Sequence, residues 1–457
     1  MKNKLTIILS LMLIIFKTEV HCMENKEMLK TFEESLKTDI VNTWYPKLID
    51  KENGGYNTCF DRKMNVVSPF PKEIITQARS LWAAAKAAKR YPEDKILRKA
   101  ADHGFTYLRD MAWDKEYGGF FQDISGESHE LKTAYGNAFS IYALAAYYEL
   151  SQDEEALELA KKTFHWLDEN CHDEKYKGYY NTMLRDGTCA EDSAAFNSGD
   201  LDREIFFVEN AKYKDYNSTI HLMEGFTELY RVWPDETLKA RLTELVHVIR
   251  DIMVHDKGYL LMHFNGDWTH VSLRDSSRSH ILKNSWFDHV TFGHDVETAF
   301  LLLETEKIIY GNYTERTYII AKKMIDHAIA YGFDDEYAGI FYEGYYFDED
   351  GPVEIINKDK EWWVQAEGLN ALLMISYLAE NGDHYREVFE KLWEYTNRYV
   401  IDHKYGGWYR RGIDTQERAN KNALKGDKWK SCYHTYRAMS QCVDMLKHNK
   451  TIFEIHN

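Results

Sequence analysis

The chain has 457 residues, of which 44% are hydrophobic, 29% charged and 14% aromatic, a composition typical of a globular protein with a large apolar interior. Its formal net charge of −17 repels polyanions, so we expect no nucleic acid partner. The six cysteines include no CxxC pair and no zinc-finger spacing, so we predict that most are small buried side chains and that there is no structural metal.

The first predicted element is a signal-like segment over residues 1–22. Lys2 and Lys4 precede an apolar run from Leu5 to Phe16, which is too short to span a membrane. This order of charge and apolarity is typical of exported proteins, and we predict export even though the segment has no A-x-A cleavage site. The alternative is translation from Met23, which gives a cytoplasmic chain. No other segment reaches membrane-spanning length.

A short pattern recurs six times along the chain: an acidic residue, a glycine and then an aromatic residue. Glycine permits a tight turn, and the aromatic residue suits a short extended segment. Six copies in one chain indicate a repeat protein. The copies are Asp50–Tyr56, Asp114–Phe120, Asp173–Tyr179, Asp256–Tyr259, Asp335–Phe341 and Asp402–Trp408.

Apolar residues at spacings of three and four predict helices before and after these copies. Many of the helices after the copies are apolar around most of their circumference, so we expect them to be buried. They are predicted at Ile74–Ala88, Tyr135–Leu150, Ile220–Val232, Asp295–Ile309, Val364–Leu378 and Thr435–Leu446. The helices before the copies are more amphipathic and are expected outside, for example at Leu97–Met111, Ala156–Leu167, Leu238–Met253, Arg316–Ala330 and Tyr385–Val400.

Six inner and six outer helices predict an all-α fold, an (α/α)6 toroid with short β segments in its loops. The alternative is an open superhelix of helix pairs. Polar and aromatic residues gathered at the starts of the inner helices favour closure. No linker rich in proline or serine divides the chain, so we predict one catalytic domain over residues 23–457 that is a monomer or a weak dimer.

Polar residues stand near the start of each predicted inner helix, where a closed ring brings them together. Asn217 and His221 share a helix face at a spacing of four, and His294 and Glu297 share one at a spacing of three. We expect these side chains to line one pocket. Taken as equivalent, one from each repeat, are Arg79, Asn137, His221, His294, Glu367 and His434.

Two histidines that face each other across a pocket can remove a proton from one face of a carbon and return a proton to the other. A carboxylate such as Glu297 supports the charged form of His294, and an arginine stabilises an enediolate oxyanion. Tryptophans can stack on sugar rings. The set therefore predicts proton abstraction beside a sugar carbonyl. Each residue alone also has an ordinary structural explanation: Glu367 can be a buried partner of Arg79.

Three segments resemble the N-acylglucosamine 2-epimerase superfamily, and most of all its cellobiose 2-epimerase branch. They are Gly293–Glu297, Trp362–Glu367 and Trp429–His434, within a resemblance that runs from about Leu29 to about Leu446. The order Gly-His-Asp-Val-Glu in the first segment is the form of the cellobiose 2-epimerase branch.

The resemblance implies roles for individual residues. His294 and His434 are expected to be the two acid–base residues at C2 of the sugar, and His221 is expected to assist ring opening. Either Trp362 or Trp363 stacks on the substrate, with Trp363 preferred. No metal, nucleotide or other cofactor is expected. The expected substrate-binding residues are Arg79, Tyr135, Asn217, Glu297, Trp363, Glu367 and Trp429.

The activity that the resemblance implies is an isomerase that inverts C2 of the reducing-end glucose of β-1,4-linked disaccharides. Cellobiose then gives glucosyl-mannose, and mannobiose is a further substrate. The nearest alternatives are an N-acylglucosamine 2-epimerase and an aldose–ketose isomerase acting on mannose. More distant alternatives are an (α/α)6 glycoside hydrolase, which needs two carboxylates rather than histidines, and a carbohydrate-binding ring without activity.

Overall fold

A computed structural model describes residues 25–67, 71–125, 130–190 and 211–455 of the chain, and the signal-like segment 1–22 lies outside these ranges. Twelve long helices alternate along the described residues between an outer and an inner layer. The first six are α1 (25–35, continued by Leu36–Val41), α2 (Ile74–Arg90), α3 (Lys95–Tyr107), α4 (Ala134–Ser151), α5 (Glu154–Asn170) and α6 (Tyr216–Val232). The other six are α7 (Glu236–Val248), α8 (Phe292–Tyr310), α9 (Glu315–His327), α10 (Trp362–Leu378), α11 (Gly382–Tyr395) and α12 (Tyr433–His448).

The even-numbered helices form a closed inner ring. Each packs against the next, from α2 through α4, α6, α8 and α10 to α12, and α12 packs back against α2. The inner helices are buried around their whole circumference over long stretches, because they are enclosed by neighbours and by the outer layer. Every residue from Ala134 to Tyr147 of α4 and from Trp362 to Ile375 of α10 is buried. The predicted (α/α)6 toroid is confirmed.

Most outer helices end in a wider, π-helical turn that leads into the glycine loop. Such turns insert one residue into the helical ladder. They follow the helical part of α1, α3, α7, α9 and α11, at Leu36–Val41, Leu108–Ala112, Ile249–Met253, Ala328–Gly332 and Thr396–Val400.

Three small antiparallel sheets lie in the described loops between the helices, as the sequence predicted. The first contains β1 (Leu131–Thr133) and β2 (Thr182–Leu184), with Lys132 opposite Met183. The second contains β3 (Lys214–Asp215), β4 (His263–Phe264) and β5 (His270–Val271). The third contains β6 (Val290–Thr291), β7 (Glu343–Tyr345) and β8 (Glu354–Asn357). Because β1, β3 and β6 run directly into α4, α6 and α8, the sheets fix the direction in which these inner helices begin.

A buried lysine–aspartate ion pair recurs in the glycine loops. In the third repeat, Lys214 Nζ lies 2.7 Å from Asp173 and also donates to the carbonyls of Lys177 and Gly266, each at 2.7 Å. The ammonium thereby ties the glycine loop to the strand that precedes the next inner helix. Four further repeats contain the same pair, as Lys72–Asp50, Lys132–Asp114, Lys360–Asp334 and Lys425–Asp402.

The fourth repeat lacks both members of this pair. His255 replaces the aspartate and uses Nδ1, at 3.1 Å, to accept the loop hydrogen bond from Lys257 N that an aspartate oxygen accepts elsewhere. Val290 stands two residues before α8, the position that lysine holds before α2, α4, α6 and α10. The acid and the base are therefore absent together.

The sequence-based boundaries need correction at several points. α6 begins at Tyr216 rather than Ile220, and α8 begins at Phe292 rather than Asp295, because polar residues in their first turns hide the apolar spacing. The aspartate that recurs in the glycine loops of this chain is Asp334 in the fifth copy, rather than Asp335, since Asp334 N bonds to Gly339 O at 2.9 Å. The equivalent position of the fourth copy is His255 rather than Asp256.

The five described cysteines agree with the sequence interpretation. Cys59, Cys171, Cys432 and Cys442 are buried, Cys189 is half-buried, and all five are free thiols. No helix in the described ranges is long and apolar enough to cross a membrane.

The repeated ion pair gives a stability prediction. Lys214→Met removes the ammonium that bonds to Asp173 Oδ2 and to two loop carbonyls, so we expect unfolding to become easier by about 3–5 kcal/mol. The matched control is Lys391→Met, because Lys391 and its partner Glu387 are both more than half exposed. Its expected effect is below about 1 kcal/mol. Urea denaturation followed by circular dichroism measures both, and equal effects would contradict a structural role for the buried pair.

Candidate active site

The predicted site residues of the inner helices lie within the first six residues of those helices, at one end of the ring. The prediction from the sequence treated six of them as equivalent, one from each repeat. The structure instead places them at different positions in their helices. Counted from the start of its helix, His434 is second, His294 third and Asn137 fourth. Sixth in their helices are Arg79, His221, Glu297 and Glu367.

Asn137 lies outside the site. Its side chain accepts from Phe120 N at 2.7 Å and donates to Phe120 O at 3.3 Å, so it ties α4 to the glycine loop. Gln77 and Gln365 make the same paired contacts with the loop residues Tyr56 and Ile340. The fourth helical position is therefore structural in these repeats.

One guanidinium, that of Arg437, lies at the centre of three buried carboxylates. Arg437 bonds to Glu224, Glu297 and Glu367, and its Nη2 lies 2.8 Å from Glu367 Oε1. The three carboxylates come from α6, α8 and α10, whereas the arginine comes from α12. All four side chains are at most 3% exposed. Buried charges of this kind are tolerated only when paired, so Arg437 is what allows three acids to meet here.

His434 and Glu367 form a buried pair. His434 Nδ1 lies 2.7 Å from Glu367 Oε1 and 3.9 Å from Glu297 Oε1. Burial lowers the pKa of His434 well below its usual value, and Arg79 and Arg437 lower it further. Burial raises the pKa of Glu367 to about 8, because the neighbouring Glu297 adds to burial and Arg437 only partly opposes it.

His221 and Glu224 form a second histidine–carboxylate pair, of different character. Their Nδ1 and Oε2 atoms lie 2.7 Å apart, and the other oxygen of Glu224 accepts from Tyr433 and Arg437. Burial alone would raise the pKa of Glu224, but Arg437 and the hydrogen bond with His221 lower it to about 2. Glu224 is therefore a permanent anion, whereas Glu367 can hold a proton near neutral pH.

His294 lies against aromatic rings. Its ring centroid is 4.5 Å from that of Trp363 and 4.9 Å from that of Tyr216, and its Nδ1 is 3.2 Å from Thr291 Oγ1. Burial lowers the pKa of His294 well below its usual value, and the neighbouring His221 adds to this. The expected pairing of His294 with Glu297 is replaced by the contact with Thr291, and Glu297 bonds instead to Arg437.

Arg79, Tyr135 and Asn217 line the same end of the ring. Arg79 Nη2 donates to the Tyr135 hydroxyl at 2.7 Å, so the alternative structural pairing of Arg79 with Glu367 is not formed. Asn217 lies within hydrogen-bonding reach of Tyr135, and its Oδ1 is buried without a partner. The Tyr135 ring is 5.2 Å from that of His221.

The tryptophans divide into two groups. The Trp363 ring contacts both histidines, with centroid distances of 4.5 Å to His294 and 5.7 Å to His434. Trp362 faces the other way, towards Lys430 and Arg410. Trp429 is half-buried in the loop before α12, where its amide donates to Asp427 at 2.9 Å. Trp363 is thus the member of the pair that lies beside the histidines.

Two overlapping sets of side chains offer several donor atoms to a ligand or ion. Within each set, one donor atom per residue lies within 4.8 Å of the others: His221, His294 and Glu297 in the first, and Glu297, Glu367 and His434 in the second. Glu297, which both sets contain, and Glu367 already bind Arg437. A cation there would lie beside a guanidinium, which repels it.

Two residues in the centre of the site, Glu224 and Tyr433, were not among the site residues predicted from the sequence. Glu224 stands three residues after His221, and Tyr433 stands four before Arg437. Both spacings put the two side chains on one helix face. The same rule that joined His294 and Glu297 could have found both pairs.

Comparison with known proteins gives the class of this arrangement. The chain matches the N-acylglucosamine 2-epimerase (GlcNAc 2-epimerase) family over residues 54–438. It is 26% identical over 428 residues to a cellobiose 2-epimerase of Bacteroides fragilis, covering 92% of this chain and 99% of that protein. It is 26% identical to a D-mannose isomerase of Marinomonas mediterranea, covering 92% and 97%. Its fold resembles the cellobiose 2-epimerase structure from Bacillus thermoamylovorans, with a TM-score of 0.75 at 25% identity, covering 93% and 100%.

The protein is therefore an isomerase acting on sugars. More particularly, the chain belongs to the N-acylglucosamine 2-epimerase family.

The shared guanidinium gives a prediction about stability and pH. Arg437→Gln removes the positive charge that lowers the pKa of Glu224 and Glu367, so the pKa of both carboxyls rises in the folded protein. Protonation then favours folding, and the stability so gained is lost as the pH rises. We expect the variant to be less stable than the wild type by about 3–5 kcal/mol at pH 8, and by less at pH 5. Urea denaturation at the two pH values measures this, and a pH-independent loss would contradict it.

Proposed function

We propose that the protein inverts C2 of the reducing-end sugar of a β-1,4-linked disaccharide, cellobiose in the first instance. The observation that carries the proposal is the placement of His294 and His434 on two different inner helices, both in contact with the Trp363 ring. Burial keeps both imidazole rings uncharged, so each has one ring nitrogen with a free lone pair and can act as a base. Trp363 offers a flat apolar face on which a sugar ring can stack.

The reaction starts by opening the reducing-end ring to the aldehyde, assisted by His221 with its permanent anion Glu224. One histidine then removes the C2 proton, and the electron pair of the C–H bond forms an enediolate. Arg79, which carries a positive charge beside Tyr135, stabilises the negative oxygen. Rotation about C2–C3 presents the other face, and the second histidine returns a proton to it. Tyr135, Asn217, Glu297 and Trp429 bind the sugar hydroxyls and the second sugar unit.

The disaccharide preference is supported by the relatives that carry the name cellobiose 2-epimerase. They come from Bacteroides, Ruminococcus, Dictyoglomus and Eubacterium, at 24–26% identity over at least 90% of this chain. An aldose–ketose isomerase acting on mannose is the second candidate, favoured by the equally high identity to the D-mannose isomerase. The two reactions share the enediolate and differ only in whether the proton is delivered to C2 or to C1.

The test is proton NMR of cellobiose incubated with the protein in heavy water. The expected result is a mannose-type anomeric signal together with deuterium at C2, because the second proton comes from a group that exchanges with solvent. Parallel incubations with mannobiose, mannose and N-acetylmannosamine define the substrate class. A ketose product from mannose supports the second candidate, and release of free glucose from cellobiose contradicts both.

A variant tests the assigned base. His434→Ala removes the imidazole that bonds to Glu367, so turnover is expected to fall by at least about a thousandfold. The far-ultraviolet circular dichroism spectrum is expected to stay that of the wild type, because the residue is at the start of a long helix. The assignment fails if the folded variant keeps more than a tenth of the wild-type rate.

A further inference from the structure

We propose that Glu367 is the proton reservoir of His434: it supplies the proton that His434 delivers to C2 and takes back the proton that His434 removes. The inference rests on the proposed function and deepens it, because it assigns to Glu367 a role other than holding a substrate hydroxyl. Glu367 acts through His434 and does not itself need to touch the sugar.

The need for a reservoir follows from the state of the two histidines. A two-base inversion requires one histidine to remove a proton and the other to deliver one. His294 and His434 are both neutral in the free protein, since burial and the nearby arginines disfavour a second ring proton. A neutral His434 can still act as an acid, if its second nitrogen gains a proton while the first gives one away.

The contact between Glu367 and His434 has the geometry that such a proton exchange requires. The 2.7 Å separation of Oε1 and Nδ1 holds a single proton between a carboxyl and an imidazole. In one state the carboxyl is protonated and donates to Nδ1, so Nε2 carries the ring proton and His434 is an acid. In the other state the carboxylate accepts from Nδ1–H, so Nε2 has a free lone pair and His434 is a base.

The charges around Glu367 explain why this acid holds the proton. The groups that face it are His434 and Arg437 from α12, Glu297 from α8 and Glu224 from α6. One guanidinium cannot balance three ionised carboxylates in a buried space, so one carboxyl retains a proton. Glu224 accepts from three donors and stays ionised, whereas Glu367 shares its Oε1 between His434 and Arg437 and leaves Oε2 buried without a partner.

Every proton has a source and a destination in the direction in which His434 is the acid. His294 takes the C2 proton, and the C–H electron pair forms the enediolate. The opposite face of C2 then takes the proton from Nε2 of His434, Nδ1 takes the proton of the Glu367 carboxyl, and Glu367 remains as a carboxylate beside Arg437. The enzyme now carries a positive His294 and a negative Glu367. After the product leaves, water removes the first proton and returns one to Glu367.

The first readout does not depend on turnover. In protein carrying carbon-13-labelled glutamate, infrared spectra of the free wild type at pH 6.5 are expected to contain a protonated carboxyl band that fades as the pH rises past about 8. The band is expected to be missing from Glu367→Gln and present in Glu224→Gln. Glu224 is the matched control, because it binds the same arginine and also bonds to a histidine, but stays ionised. A spectrum of Glu367→Gln identical to that of the wild type overturns the proposal.

The second readout compares exchange with inversion. In Glu367→Gln the amide oxygen faces Arg437 and therefore also accepts from Nδ1–H of His434, and the amide has no proton to exchange with the ring, so inversion is expected to fall about 100-fold or more, while deuterium exchange at C2 persists for one epimer. The ratio of exchange to inversion therefore rises at least about tenfold in Glu367→Gln and stays within about twofold of the wild type in Glu224→Gln. A purely structural role of Glu367 lowers exchange and inversion together, and that result overturns the proposal.

The two readouts separate failure of this inference from failure of the proposed function. A wild-type protein that exchanges no C2 hydrogen on any sugar of the panel contradicts the proposed function. The infrared band then still decides whether Glu367 holds the proton beside His434.

Discussion

The site depends on a single guanidinium. Arg437 is the positive charge that the three carboxylates of Glu224, Glu297 and Glu367 bind in common, and each of these acids reaches it from a different inner helix. Two of the acids hold a histidine by its Nδ1 atom, which directs the other nitrogen away from the acid. The orientation of His221 and His434 therefore follows from the position of one residue of α12. Because α12 is also the helix that closes the ring against α2, assembly of the site and closure of the toroid are one event.

The same arginine gives its two principal acids opposite properties. Glu224 accepts from three side chains, and Arg437 and His221 lower its pKa to about 2 against the effect of burial, whereas Glu367 has fewer donors and a second acid beside it. Histidine–carboxylate pairs with the same 2.7 Å separation can thus differ in what they do. One keeps a fixed charge near the place where the sugar ring opens, and the other can change its charge during the reaction. Separation alone does not distinguish them; the count of neighbouring donors does.

The fold could be predicted from the sequence because its signal is repeated. Six glycine loops, each between helices, indicated the toroid even though the predicted starts of individual helices were wrong by up to four residues, as at Tyr216. The boundaries failed where polar first turns, such as Asn217-Ser218, interrupt the apolar spacing. These are the turns that carry the site, so the residues of chemical interest were also those that concealed the start of the helix.

The site could be predicted only in part. Residue types and positions near helix starts brought His221, His294, Glu297, Glu367 and His434 together correctly, and the structure places them within one cluster. The predicted pairing of Glu297 with His294 was wrong, since Glu297 bonds to Arg437, and Glu367 bonds to His434 and Arg437 rather than to its alternative partner Arg79. Spacing along one helix says which side chains share a face, but it does not say which neighbouring helix that face meets. Pairs between helices depend on the rotation of each helix in the ring, which no local pattern encodes.

The fourth repeat shows how such a ring can diverge. Five repeats contain a buried lysine–aspartate pair, and the fourth has valine and histidine at the two positions. Losing either member alone leaves a buried charge without its partner, which costs several kcal/mol, whereas losing both costs far less. A change at one position is therefore tolerated in two cases. Either the other position changes soon after, or the other position has already been replaced by a neutral residue. His255 fits such a path, because its uncharged ring keeps the loop hydrogen bond while needing no ammonium partner. In this ring the unit of evolutionary substitution is the pair, and the two positions are expected to covary although 35 residues separate them in the chain.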